Sequence, residues 1–313
     1  MKDQAVSEAF CSTANLGAGF DVFGLALRKY SDKISVRLTR GRKIRILVQG
    51  EYSAGISRDP SRNSAGPPAR ELLRESRRAR GLEIVVEKNV PQGLGLGSSG
   101  STAAACTKCL SHLLQLELSS DELVRIASLG EKAVSGTAHM DNVGASLLGG
   151  FVIAYDEPPR ILSIRPPDSL QAVVATPLIP IVEHKTRQAR RLVPAKLATH
   201  KAILNVGRAS AIAAGFAKGD IARIGSGMMD EIAEPYRAQM VPGYHEVREA
   251  ALASGAAGVS ISGAGPSIIA LLDRRRADPR SVGKAMTNAF SQNNTRSRFF
   301  VTEPARGARI LSG

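Results

Sequence analysis

Residues 90 to 104 read VPQGLGLGSSGSTAA, with glycines at the alternate positions 93, 95 and 97, then small hydroxyl residues and alanines. Such a run costs backbone entropy and offers almost no side chain to a core. It suits a loop whose main chain, not its side chains, meets a ligand. The preceding LEIVVE (82–87) has the apolar, β-branched character of a strand, and SSGSTAAACTKCLSHLLQL (98–116) that of a long helix with a small-residue face. A glycine loop entering a helix N-terminus gathers N–H groups and the positive end of the helix dipole, which together favour a phosphate.

Three phosphate loops differ in their flanking residues. A Walker A loop ends in Gly-Lys-Ser/Thr, whereas Gly97 is followed by Ser98 and Ser99, which excludes it. Gly95, Gly97 and Gly100 satisfy the dinucleotide spacing GxGxxG. That fingerprint, however, sits directly after its strand with an acidic residue about twenty positions on. Val90, Pro91 and Gln92 intervene here, and Asp121 belongs to the start of the next helix. The third is a loop that wraps a triphosphate with amides and hydroxyls, the hydroxyls coming from Ser98 and Ser99. A plain glycine-rich turn stays open on this segment alone.

Elsewhere ISVRL (34–38), IRILVQ (44–49), GGFVIAY (149–155), LQAVVAT (170–176) and RFFVTE (298–303) are expected strands. The stretch 61–81 turns helical after its prolines and is expected to end at Gly81 as a C-cap. Ser119 and Glu122 have capping-box spacing, helices are expected through 186–254 and near 279–291, and GVSISG and SIIALLD frame a second glycine turn, SGAGPS (262–267). The proline-rich DEPPRILSIRPPDS (156–169) marks a boundary, giving units 1–168 and 169–313. Strands and helices mix without strict βαβ alternation, so the class is α+β.

A chain of 313 residues with 43% apolar and 22% charged residues is that of an ordinary globular protein. No window approaches the ~18 uninterrupted apolar residues of a membrane helix, and the first twenty residues lack a signal-like apolar stretch, so we expect a cytoplasmic protein with no membrane partner. A net charge of +14 suits anionic ligands. With aromatics at 4% and no Trp there are few platforms for unpaired bases, so nucleic acid is not the expected partner, and the runs at 74–80 and 274–276 fit solvated faces. Cys11, Cys106 and Cys109 make no disulfide framework. The CTKC at 106–109 falls inside a helix, not at its N-terminus, which fits core packing better than redox or zinc chemistry.

PQGLGLGSSGSTAA closely resembles the ATP-phosphate loop of the GHMP kinases, usually written PxGxGLGSSAA. The likeness extends, in ordered blocks from 12 to 271, to the homoserine kinase branch of that family. STANLGAGFDVFGLAL (12–27) resembles its ATSANLGPGFDxxGLAL, and GEKAVSGTAHMDNVGASLLGGF (130–151) its GExxxSGxxHxDNVAPAxxGG. KTRQARRLVP (185–194), EPYRAQMVPGY (234–244) and ISGAGPSIIAL (261–271) are similar to its TxxAR, EPxRxxLxPG and SGSGPT segments. The departures, Ala18 and Gly100 for proline and alanine and HMDNVGAS without its two prolines, remove no charged or hydrogen-bonding group.

The resemblance implies a two-domain GHMP kinase fold, a ribosomal-protein-like N-terminal domain and a ferredoxin-like C-terminal α+β domain. It implies ATP and Mg²⁺ as cofactors and L-homoserine as substrate, phosphorylated at its hydroxyl on the way to threonine. Pro91, Gly93, Leu94, Gly95, Leu96, Gly97, Ser98 and Ser99 would wrap the phosphates, with Asn63 near the adenine. Ser98 and Glu131 would hold magnesium, which needs few carboxylates beside phosphate and water. Asn15 and Asp21 would take the amino-acid end, Asp21 facing the ammonium, and Arg190 and Arg237 would grip the carboxylate. Thr186, His139 and Asn142 would complete that pocket. Mevalonate-kinase-like relatives carry an aspartate seven residues before their paired glycines, and here that position is Asn142, with Asp141 expected to point elsewhere. Asn142, Glu131 and Ser98 would then serve catalysis by positioning and charge neutralisation, without a base. Homodimers occur in the family, and no stretch of this sequence marks an interface. The alternatives are a GHMP kinase for another alcohol, such as mevalonate or shikimate, and a non-catalytic binding protein of the same fold.

Overall fold

The computed structural model describes residues 3–76, 81–156, 158, 160–180 and 185–313. Part of the arginine run at 74–80 and two positions of the proline-rich stretch lie outside them. In chain order the elements are β1 (Gln4–Asn15), β2 (Gly19–Thr39), β3 (Ile44–Gln49), α1 (Gly66–Glu75), β4 (Gly81–Glu87), α2 (Ser98–Leu113), α3 (Ser120–Ser135) and α4 (Met140–Leu148). There follow β5 (Phe151–Tyr155), β6 (Arg160–Ile164), β7 (Leu170–Pro177), α5 (Lys185–Arg191), α6 (Thr199–Lys218), α7 (Ile221–Gly227) and α8 (Glu234–Arg237). The chain closes with α9 (Tyr244–Ala253), β8 (Gly258–Ile261), β9 (Ile268–Asp273), α10 (Pro279–Gln292), β10 (Ser297–Thr302) and β11 (Arg309–Ser312).

Two sheets organise the chain. The first runs β11-β1-β2-β4-β3, with β5 added to β2 and β6 to β5; the second is β10-β7-β9-β8. β1 and β2 form a long hairpin of which only 34–38 is expected as strand. Its periodicity is hidden because both faces near the turn are buried: Cys11, Leu25, Ala26 and Leu27 are all fully enclosed. Gly81 opens β4 and is not the C-cap of α1, which ends at Glu75 with Ser76 as its cap. The prolines lie in the first turn of that helix, where a missing N–H costs nothing. The capping box forms as the spacing predicts, Ser119 accepting from the Glu122 N–H and Glu122 from the Ser119 N–H.

The tail after β10 leaves the second sheet. β11 returns to pair antiparallel with β1, covering an edge that would otherwise offer unpaired N–H and C=O groups. Between the sheets lies a shared apolar core in which Phe151 of β5 stacks on Phe216 of α6, centroids 3.8 Å apart, beside Leu25, Ile269 and Leu271. That core sets the cleft in which loops from both sheets meet. The small face of α2 packs on the first sheet: Ala103, Ala104, Cys106 and Cys109 are fully buried. The Cys106 and Cys109 thiols donate to the Ala65 and Ala5 carbonyls, and burial pushes the Cys109 pKa up to about 12. They are inert packing groups.

Candidate active site

The glycine loop leaves β4 and enters α2 with Gly93, Gly95 and Gly97 at φ +71°, +76° and +60°. Those are left-handed conformations that side-chain-bearing residues adopt at a cost. A Cβ on Gly95 would collide with the Ser262 carbonyl oxygen, and one on Gly97 with the Ser12 hydroxyl. Glycine is required twice at these positions, by dihedral and by space. Gly97 caps α2 without a side chain, so the first-turn N–H groups of a 16-residue helix have no side-chain acceptor. The SGAGPS turn docks against this loop: Ser262 Oγ donates to the Gly95 carbonyl at 2.7 Å and lies 2.9 Å from Thr13 Oγ1. The Leu96 carbonyl accepts from the Ser12 N–H at 3.2 Å.

Behind the loop is an ion pair that sequence reasoning missed. Asp32 of β2 and Lys88, just after β4, are fully buried and paired. Asp32 Oδ1 accepts from the Asn89 and Val90 N–H groups at 2.9 Å each, and its Oδ2 from Ser101 Oγ at 2.6 Å and Thr102 Oγ1 at 2.7 Å. Lys88 Nζ also donates to the Ser98 carbonyl at 2.5 Å. Burial lowers the lysine's pKa against the pull of Asp32. A buried charge needs this many partners, and here they tie the strand before the loop to the helix after it. Nothing marked the two residues beforehand, because their pairing spans 56 positions.

A cavity of about 920 Å³ opens over the loop and collects most of the expected residues on one wall system. Gly93, Gly95, Leu96, Gly97, Ser98, Ser99, Asn63 and Glu131 line it, as do Asn15, Asp21, His139, Asn142, Thr186, Arg190 and Arg237. Pro91 and Leu94 do not; Pro91 is buried, and Leu94 packs partly against the shared core. Asn63 holds its own loop, donating to the Ser57 carbonyl at 2.7 Å and accepting from the Ala65 N–H at 2.9 Å. Its amide is therefore largely engaged before any base arrives.

At the helix end the serine on Glu131 is Ser99, whose hydroxyl donates to Glu131 Oε1. Ser98, the expected partner, donates to the Val90 carbonyl at 2.8 Å. A hydroxyl whose proton is so engaged keeps lone pairs for a cation. Glu131 Oε2 lies 3.3 Å from His139 Nδ1, and Arg190 Nη2 lies 3.3 Å from His139 Nε2. The guanidinium at Nε2 favours the imidazole tautomer with its proton on Nδ1, pointing at Glu131. Asn142 stands against the loop, its Oδ1 accepting from Ser12 Oγ at 3.1 Å. Asp141, expected to point away, is buried in the same cavity wall, and its Oδ1 accepts from the Asn142 N–H at 2.7 Å. Burial raises its pKa to about 6, with His139 pulling the other way.

At the far end the charges expected to hold opposite ends of a zwitterion hold each other. Arg190 grips Asp21 in a bidentate pair, Nη1–Oδ2 at 2.7 Å and Nη2–Oδ1 at 2.8 Å. Arg237 is buried, donates through Nε to the Ala189 carbonyl at 3.0 Å, and lies 4.8 Å from the Phe20 ring centroid. Arg190 lies 5.5 Å from the same ring, so Phe20 is an aromatic floor under both guanidinium groups. Its place beside Asp21 in GAGFD was the available signal. Asn15 bridges the two loops, donating to the Gly263 carbonyl at 2.8 Å and accepting from the Asp21 N–H at 3.1 Å.

Residues 66–150 match the family model of the GHMP kinases N terminal domain, and residues 212–292 that of the GHMP kinases C terminal. A homoserine kinase of Aeropyrum pernix is 40% identical over 313 residues, covering 98% of each chain. One of Thermoplasma acidophilum is 38% identical over 308 residues, covering 98% of this chain and 96% of that one. The crystal structure of a homoserine kinase from Cytophaga hutchinsonii has a TM-score of 0.90 at 31% identity, covering 99% of this chain and 98% of that one.

Proposed function

We propose, from the premise that this chain belongs to the GHMP kinase family and to its homoserine kinases, how its cavity transfers the γ-phosphoryl group of ATP to the hydroxyl of L-homoserine. The observation that carries the reading is the polarity of one cavity. Uncapped helix N–H groups and left-handed glycines form one end, and an acid with two guanidinium groups forms the other. The first end suits phosphates and the second an α-amino acid.

Gly93 to Ser99 hold the phosphates through main-chain N–H groups. Ser98 and Glu131 fit a divalent cation, being a hydroxyl with lone pairs to spare and a buried carboxylate at the helix N-terminus. A magnesium ion held by these two residues would supply charge neutralisation for the phosphates. Asp21 takes the ammonium on its outer lone pairs while Arg190 keeps its grip, and Arg237 takes the substrate carboxylate, shielded by Phe20. Asn142, between the two ends, presents its amide to the acceptor hydroxyl. The hydroxyl oxygen bonds to phosphorus as the bond to the β,γ-bridging oxygen breaks. That electron pair leaves with ADP, and the hydroxyl proton passes to a phosphoryl oxygen and on to water. Because this transfer is largely dissociative, positioning and charge neutralisation supply most of the rate.

The test is purified protein with MgATP, coupled ADP release, and parallel L-homoserine, D-homoserine, mevalonate and shikimate. Turnover confined to L-homoserine is expected. Turnover with mevalonate alone would discard the ammonium role of Asp21.

A further inference from the structure

Lys185, the first residue of α5, has no part in the mechanism above, yet it lines the cavity. Its ammonium donates to the Gly93 carbonyl at 2.7 Å and to the Gly265 carbonyl. Gly93 belongs to the loop after β4 and Gly265 to the turn between β8 and β9, so one side chain ties together loops from the two sheets. A lysine ammonium has three donors, and these carbonyls take two. Among the described residues no carboxylate lies within ion-pair distance of it. Burial first, and then the like-charged guanidinium of Arg237, hold its pKa down to about 7. A cation placed on the wall of an anion-binding cavity with no anion of its own lacks the charge that a ligand would bring. Its neighbours locate that charge: Gly93 is the phosphate end, and Arg237 the acceptor end.

We propose that Lys185 is a further catalytic residue, whose free N–H meets an oxygen of the γ-phosphoryl group as it crosses from ATP to the acceptor while the other two keep the loops latched. The proposal rests on the reading of residues 93–99 as the nucleotide loop. The negative phosphoryl group favours the protonated amine, so bound Lys185 forms no bond to phosphorus and neutralises charge on the transferring group. Lys88 cannot take this part, since Asp32, Thr102 and the Ser98 carbonyl already engage it.

The test compares wild type with Lys185→Met and Lys185→Arg. For the Met variant we expect kcat to fall about 10²-fold, the L-homoserine KM to hold, and Arg to restore part of the rate. Affinity for the non-hydrolysable analogue AMPPNP should drop about tenfold while that for ADP is unchanged, since only the former carries the contacted group. Equal losses for AMPPNP and ADP, or an unchanged kcat, would overturn the proposal and leave Lys185 a latch. Should the Met variant fail to fold, amine methylation of the wild type read by mass spectrometry decides. MgAMPPNP protecting Lys185 more than MgADP supports the contact, and equal protection overturns it. Failure of the wild type itself to turn over L-homoserine would instead overturn the reading on which this rests.

Discussion

The two ends of the cavity are built in different ways. The end proposed for the nucleotide presents main chain, glycines at positive φ and open N–H groups, backed by a buried ion pair that fastens β4 to α2. The end proposed for the acceptor is made of side chains: Arg190 joins Asp21 and His139, and Arg237, held by the Ala189 carbonyl, lies against the same Phe20 ring as Arg190. Main-chain donors locked by glycine geometry have little to reorganise when a phosphate binds. Paired side chains must share or exchange partners when a zwitterion enters. Rigidity is therefore concentrated at the end proposed for the triphosphate, and adaptability at the end proposed for the acceptor.

The sharpest break in that contrast is at Lys88. Replacing it with Met leaves Asp32 buried and unpaired, which should cost about 3–5 kcal/mol in urea unfolding. A loss below about 1 kcal/mol would mean that the nucleotide end does not depend on this pair. Arg237→Leu should act on the other end alone, raising the L-homoserine KM roughly 100-fold, about 2–3 kcal/mol, with the ATP KM unmoved. An equal change in both constants would show that the two ends are not separate. Asn142→Asp should lower kcat by about tenfold, through a charge placed beside the phosphates. A rise in kcat at saturating substrate would show that the reaction wants a base after all.

The most gradual expected effect concerns pH. Glu234 opens α8, the short helix that carries Arg237, and accepts from the Tyr244 hydroxyl and from the Ile261 N–H at 2.8 Å. Burial raises its pKa from 4.5 to about 7. The native state thus holds this proton more tightly than the unfolded chain. Its contribution is fully present below about pH 4.5 and is lost as pH rises through about 7, at a slope of up to about 1 kcal/mol per pH unit. Glu234→Gln should flatten the stability profile across that window, measured by chemical denaturation at several pH values. An unchanged slope would place the sensitivity elsewhere.

What was legible in the sequence is what local backbone demands. Gly93, Gly95 and Gly97 had to be glycine because their dihedrals require it, and alternate glycines before a small-residue helix show that without any fold. Capping boxes, proline positions and the framed SGAGPS turn belong to the same class. The residues proposed for the acceptor were reached only through their ordered motifs, since each alone is an ordinary polar residue.

Only the tertiary structure decided which charges meet. It put Arg190 on Asp21, 169 positions away, Ser99 and not Ser98 on Glu131, and Phe20 beneath two arginines. It made the β1–β2 hairpin long by burying both its faces, and it sent β11 back to cover an open edge. The division follows from physics: a dihedral preference belongs to one residue and its neighbours, so sequence by itself determines it. An ion pair or a covered edge depends on where distant strands and helices come to rest, and the shared core around Phe151 and Phe216 settles that.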